Sequence, residues 1–280
     1  MTVVTVAPTG SVPASVAERV RLDVLLTRRG LFPSRARAAA SVMAGEVRLG
    51  DRGERAAKPG QLVDSAVAVA VDDRPRFASR GGLKLANALD ATGVDPAGRR
   101  ALDVGASTGG FTDCLLQRGA SHVVAIDVAY GELAWALRTD DRVTVLERTN
   151  ARELTPAQLP YRPDLVVADL SFIALAKVLP AVLACADERF DALALVKPQF
   201  EVGRERVGRG GVVRAPADRR AALVAVATEA ERLGAAVLGF ASSGLPGPKG
   251  NRETFVWLAE GGRAGAVTDV AGAAAEVEPG

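Results

Sequence analysis

Histidine and cysteine are nearly missing from this 280-residue chain, which has one histidine, His122, and two cysteines, Cys114 and Cys185. Two cysteines exclude a disulfide framework, and one histidine beside two thiols leaves too few ligands for a Cys/His zinc centre. Both cysteines stand in apolar helical patterns, where a thiol serves as a small buried side chain. Aromatic residues are scarce at 4%, although 48% of the chain is hydrophobic, so the core must be built from aliphatic side chains. No apolar run approaches the roughly 18 residues that a membrane span needs. The first residues lack a basic start, and Pro8, Gly10 and Pro13 interrupt them, so neither a secretory signal nor a transit peptide is predicted. The expectation is a cytoplasmic protein with no metal and no membrane partner. Residues 1–16 read as a disordered leader. No oligomer signal stands out, so a monomer is expected.

The net charge of +2 hides an uneven distribution. Residues 17–80 hold thirteen Lys/Arg against eight Asp/Glu, whereas residues 81–280 hold 22 against 25. The first part is therefore the polyanion-facing one. Residues 17–73 read as a compact basic module. Arg21–Arg29 has an amphipathic helical pattern stopped by Gly30, and Ser34 is placed to cap a second helix ending at Gly45. Val47 and Leu49 open a strand, and Ala66–Val71 alternates like a half-buried one. Arg74–Phe77, stiffened by Pro75, reads as a linker.

The rest is organised around Ala101–Gln117, a strand, a glycine-rich turn and a helix start. Gly105, Gly109 and Gly110 allow a sharp turn and close approach to a ligand. Further strands are predicted at His122–Asp127, Val143–Leu146, Pro163–Asp169, Leu193–Lys197, Ala235–Phe240 and Thr254–Leu258, with helices between them, including one from Gly131 and a long one over Asp218–Leu233. The alternation predicts an α/β domain over 78–262 with a doubly wound, mostly parallel sheet of seven strands. Residues 263–280, rich in Ala, Gly and acids, are expected to form a flexible tail. The basic, glycine-rich loop Arg204–Arg214 reads either as a mobile substrate-contacting lid or as an ordinary exposed loop.

The glycine spacing is not the G-x-G-x-x-G of dinucleotide enzymes. Asp127 stands roughly 20 residues beyond the turn, where a carboxylate bonds ribose hydroxyls. Asp103 is placed to organise the glycine loop, and Asn150 to bond an adenine edge. These features suit S-adenosylmethionine better than a nicotinamide cofactor. The Asn/Asp-Pro-Pro-aromatic word that serves amine nucleophiles is absent; Asp169-Leu-Ser-Phe172 stands there instead. A ribose 2′-hydroxyl is a poor nucleophile and needs a base or a nearby cation, which a lysine among carboxylates can supply. Lys84, Asp169, Lys197 and Glu253 stand at strand or helix ends that one sheet edge would gather.

Two resemblances become specific at this point. Arg21-Leu-Asp23, Ser34-Arg-Ala-Arg37, Gly45-Glu-Val47 and Lys58-Pro-Gly60 resemble the S-four-type RNA-binding module, which implies that Arg21, Arg35, Arg37 and Lys58 face RNA, with Arg80 beyond the linker. Lys84, Asp169, Lys197 and Glu253 match the Lys-Asp-Lys-Glu tetrad of FtsJ-like 2′-O-ribose methyltransferases. With Ser79–Leu85, Asp103–Asp113, Ala168–Phe172, Leu195–Glu201 and Gly250–Glu253, the chain over 17–260 looks like the TlyA family. The resemblance implies a Rossmann-like class I methyltransferase fold preceded by a small α+β RNA-binding domain. It implies S-adenosylmethionine held by Asp103, Gly105, Ser107, Thr108, Gly109, Gly110, Phe111, Asp127 and Asn150. It further implies cytidine 2′-O-methylation of ribosomal RNA, in the small subunit (16S) and often the large (23S), with ribosomal RNA or subunits as partner. In this reading Lys197 is the central base or cation, Asp169 orients it, and Lys84 and Glu253 position the ribose. A base-directed RNA methyltransferase, and a non-catalytic assembly factor or haemolysin-like protein with a vestigial cofactor site, are the alternatives.

Overall fold

The computed structural model describes residues 18–43, 45–71 and 76–278. The leader expected over 1–16, and Arg74 and Pro75 of the expected linker, lie outside the described residues. The chain divides into two compact units, one ending at Arg76 and the other beginning at Phe77.

In the first unit β1 (Arg19–Arg21) runs into α1 (Leu22–Arg28), followed by α2 (Arg35–Met43) and the short strands β2 (Val47–Leu49), β3 (Glu54–Arg55), β4 (Leu62–Asp64) and β5 (Val69–Val71). β1 pairs antiparallel with β4, and β2 with both β3 and β5. The Ser34 hydroxyl accepts the Arg37 N–H at 3.3 Å, the expected cap of α2. Leu22, Leu26, Ala38, Val42 and Val47 form the core. The strand expected from Ala66 pairs only from Val69. Asp64 takes the Ala66 N–H on its side chain and the Val67 N–H on its carbonyl, making a turn first.

The second unit runs α3 (Arg80–Thr92), β6 (Arg100–Val104), α4 (Gly110–Gln117), β7 (His122–Ile126), α5 (Trp135–Arg138), β8 (Val143–Leu146), β9 (Leu165–Ala168), α6 (Leu179–Cys185), β10 (Asp191–Val196), α7 (Pro198–Glu201), α8 (Pro216–Arg232), β11 (Ala236–Ser242), β12 (Thr254–Ala259) and α9 (Val270–Val277). Its seven strands lie in the order β11-β12-β10-β9-β6-β7-β8. β6 to β10 are parallel, and β12 is antiparallel to both its neighbours. Every residue of β9 and β10 is buried, as a sheet covered on both faces demands. One face packs under α6, α8 and α9, around Val182, Leu223 and Val256. The other packs under α3 and α4, around Leu85, Leu115 and Phe255. The strand order reverses between β6 and β9, so a crevice opens beyond their carboxyl ends.

Two expectations fail. The helix expected from Gly131 begins only at Trp135. The tail expected to be flexible is folded as far as residue 278: the Asp269 side chain caps α9 by accepting the Gly272 N–H at 2.9 Å, Ala274 is fully buried, and Glu278 meets the Arg219 guanidinium at 2.9 Å. Alanine and glycine let α9 lie close to α8, while Val270 and Val277 join the core, so a composition that reads as loose chain serves close packing.

Candidate active site

The glycine turn brings two loops into backbone contact. Gly105 has φ 86°, and a Cβ there would stand 2.6 Å from the Asp169 carbonyl oxygen. Only glycine lets the turns after β6 and β9 close on each other this way. A Cβ on Gly110 would strike the Ser79 hydroxyl, and one on Gly109 would strike Leu137. Ser107, with φ 46°, takes the left-handed region without being glycine, a local strain held by its surroundings. Behind the turn, Asp103 is wholly buried. Its Oδ2 accepts the Thr112 hydroxyl at 2.7 Å, and its Oδ1 has no partner among the described residues. Burial pushes this carboxyl up to about 7, with the Thr112 bond opposing and the charge of Asp169 adding to the rise.

Two adjoining cavities occupy the crevice. One, of about 430 Å³, is lined by Arg80, Lys84, Thr108, Phe111, Lys197 and Pro246 among others. The other, of about 330 Å³, is lined by Asp127, Glu132, Thr149, Ala151, Leu170 and Phe172 among others. They share Gly105, Ser107, Asp169 and Ser171. The Asp127 carboxylate accepts the Ser107 and Ala129 N–H groups, each at 2.8 Å, one on each oxygen. Both oxygens retain a lone pair for a ligand hydroxyl. Asn150 is not brought to this wall. Its side chain accepts the Arg152 N–H at 3.2 Å and donates to Glu153 at 2.8 Å, because it caps a 3₁₀ turn over Ala151–Glu153. Its neighbours Thr149 and Ala151 line the cavity instead. Asp103 and Gly109 likewise support the turn from behind and line neither cavity.

The four expected charged residues meet as two pairs. Lys84, on α3, bonds Glu253 at the start of β12, and the two are 6% and 2% exposed. The second oxygen of Glu253 is buried without a hydrogen-bond partner among the described residues. Lys197 follows β10 and Asp169 follows β9. The Lys197 ammonium lies 2.5 Å from Asp169 Oδ1 and donates to the Ser171 hydroxyl at 3.0 Å. Both lysines reach the first cavity. Ser171, Pro246 and the Thr149–Ala151 wall escape a reading by residue chemistry. Ser171 sits inside the quoted word Ala168–Phe172, and that word was its only signal. Phe172, 91% exposed, packs its ring 5.3 Å from that of Phe200 at the cavity lip.

The expected RNA-facing residues divide between the two units. In the first, Arg21 and Arg35 each reach Asp23 at 3.0 Å, and the hydrogen bond from Arg21, with help from Arg35, holds the Asp23 carboxyl down at about 2. Arg37 and Lys58 are exposed. In the second unit Arg80 is exposed at the cavity rim and donates to the Pro246 carbonyl at 3.4 Å.

Comparison with known proteins bears on this arrangement. The model of the FtsJ-like methyltransferase family matches residues 77–260. The chain is 55% identical over 245 residues to the 16S/23S rRNA (cytidine-2′-O)-methyltransferase TlyA of Mycobacterium tuberculosis, covering 87% of this chain and 91% of that one. It is 42% identical over 250 residues to a Bacillus subtilis protein provisionally named rRNA methyltransferase YqxC, covering 88% of each. Among solved structures, one from Streptococcus thermophilus with a provisional hemolysin name superposes with a TM-score of 0.69 at 37% identity, over 94% of this chain and 96% of that one.

Proposed function

This chain belongs to the FtsJ-like methyltransferases and, within them, to the TlyA family, and on that premise we propose that it methylates the ribose 2′-hydroxyl of cytidine in ribosomal RNA, as its Mycobacterium tuberculosis relative is named for doing. The observation that carries the reading is the meeting of Lys197 with Asp169, and of Lys84 with Glu253, beside a glycine-lined cavity. S-adenosylmethionine, when bound, supplies a methyl group already activated by its sulfonium. The cavities fit it: Gly105 and Gly110 line the first with bare backbone, and Asp127 offers two oxygens to a ribose.

The rest of the chemistry falls to the chain. In-line transfer needs the attacking oxygen held in place and its proton removed or its negative charge stabilised. Lys197 does the second, as base or as the cation favouring the alkoxide. Asp169 and Ser171 fix the ammonium between them. Lys84, buried on α3, and Glu253, buried just before β12, hold the opposite wall and position the ribose. Arg21, Arg35, Arg37 and Lys58 of the first unit, an S-four-type module, bind RNA phosphates, for which the two-donor fork of arginine is suited. Arg80 guides the strand at the rim. We place the protein in the cytoplasm, acting as a monomer on ribosomal RNA or subunits. Among the described residues no helix is long and apolar enough to cross a membrane.

The test is a methyl-transfer assay on ribosomal RNA, with the product digested to nucleosides and weighed. A 2′-O-methylcytidine is the expected product. A base-methylated nucleoside would reassign the target atom, and no product together with no heat of cofactor binding would mean a vestigial site.

A further inference from the structure

Two loops beside the first cavity carry more positive charge than the fold uses. Arg204, Arg209 and Arg214 stand on one and Lys249 on the other. All four are exposed, and none has an ion-pair partner among the described residues. Arg206, between them, shares Glu205 and Asp218 at 3.7 Å each. Unpaired like charges on neighbouring loops repel one another, and a polyanion relieves that repulsion.

The loops are also tied together. Asn251 is 1% exposed. Its carbonyl oxygen accepts the Val213 N–H at 2.9 Å, and its amide donates to the Gly211 carbonyl at 2.8 Å. Its backbone carbonyl takes the Gly247 N–H at 2.8 Å. Gly208 and Val212 form a β-bridge that closes the tip of the first loop. A Cβ on Gly211 would lie 3.5 Å from the Lys249 side chain, so that cation lies against the first loop. Pro246 and Pro248 of the second loop line the cavity. One buried asparagine thus joins the first loop to the cavity wall.

We propose that these loops form a preformed cationic platform, locked by Asn251, that holds the phosphates of the RNA strand flanking the target nucleotide. The proposal rests on the RNA-methyltransferase reading and goes beyond it by naming a second RNA contact, one within the catalytic unit. Continuity with the nucleotide-sized cavity favours an RNA strand over an acidic protein. The platform is rigid and does not close like a lid, because the side-chain carbonyl and amino groups of Asn251 are both engaged already.

The experiment uses the full chain and ribosomal RNA stripped of protein. In the Arg204→Gln, Arg209→Gln, Lys249→Gln triple variant, the slope of log affinity against log salt should flatten by about 2, at roughly 0.7 per phosphate contact on single strands. KM for RNA should rise at least tenfold, while kcat at saturation and the heat of S-adenosylmethionine binding stay at wild-type values. An unchanged salt slope overturns the platform, and this arm reads binding alone, so it decides even if the wild type transfers no methyl group and the proposed function fails. Full affinity for bare RNA with lost methylation of intact subunits would assign the platform to an acidic ribosomal protein and overturn the RNA assignment. Amide exchange at Val213 checks the rigidity. It should be slow in the free protein and change less than about twofold with RNA, whereas a tenfold slowing would reveal a closing loop.

Discussion

The Asp23 cluster of the first unit and the two cavity pairs of the second use ion pairs in opposite ways. In the first, the Asp23 carboxylate is buried with its side chain 6% exposed, while its partners Arg21 and Arg35 are 51% and 59% exposed. At the cavity of the second, the cations are withdrawn: the Lys84 and Lys197 side chains are 8% and 11% exposed. A buried anion holding outward guanidiniums presents oriented positive charge to solvent, which suits a polyanion. A withdrawn ammonium held by a carboxylate at a cavity presents a proton-handling group to one bound atom. The lesson is that the side of a salt bridge that meets water indicates its use better than the residue types do.

The largest effect belongs to Lys197. Lys197→Ala should lower the methylation rate by about 10²–10⁴-fold, the usual worth of a positioned acid–base group, while S-adenosylmethionine binding by calorimetry survives. Near-normal turnover would remove Lys197 from the chemistry and break the comparison at its functional end.

Lys84 sharpens the contrast between the two lysines. Lys84→Ala leaves Glu253 buried and uncompensated, and removing one partner of a buried pair costs about 3–5 kcal/mol of stability. Denaturant unfolding should therefore show a clear loss for Lys84→Ala and a much smaller one for Lys197→Ala, whose partner Asp169 faces the cavity. Equal losses would mean that the two pairs do not differ in the way their exposures suggest.

In the first unit the order of effects reverses. Asp23→Asn should destabilise that unit by about 1–3 kcal/mol, because the buried side chain loses charged bonds from two arginines, yet change RNA affinity little, since both guanidiniums remain. Arg37, exposed and with no ion-pair partner among the described residues, should do the converse. Arg37→Ala should lower RNA affinity and flatten its salt dependence by about 0.7 with no change in unfolding. A loss of RNA binding in Asp23→Asn that matched its loss of stability would merge the two roles.

Much of the site was legible because strand ends converge. Lys197 and Asp169 lie 28 positions apart in sequence numbering, but each follows a parallel strand, and β9 and β10 are neighbours, so strand order brings them together. The glycine turn was legible because Gly105 touches the Asp169 backbone, a constraint that glycine alone meets. Asn150 is held away from the cavity because its amide has a nearer use as the cap of a 3₁₀ turn, and local capping competes with a ligand for any short polar side chain. The α9 helix was missed because periodicity fails when the packing face is built of alanine and glycine. Ser171 carries no chemical signal until Lys197 is seen to donate to it.

Glu201 gives the smallest effect and the finest test. Its carboxyl stands four residues past Lys197 and accepts the Leu175 N–H at 2.9 Å, and burial pushes it up to about 7 against that bond. An acid held above its unfolded value of about 4.3 keeps its proton in the folded state while the unfolded chain has lost it. By linkage, its contribution makes stability fall as pH rises from about 4 to about 7 and levels off beyond. Glu201→Gln keeps a carbonyl for the Leu175 N–H and cannot ionise, so that fall in the melting temperature should become shallower, with the part contributed by Asp103, raised to about 7 in the same direction, left in place. An unchanged slope would mean that Glu201 meets enough water to ionise freely. The contrast drawn above would then need a third class, a carboxylate near the reacting pair but solvated like the arginines of the first unit.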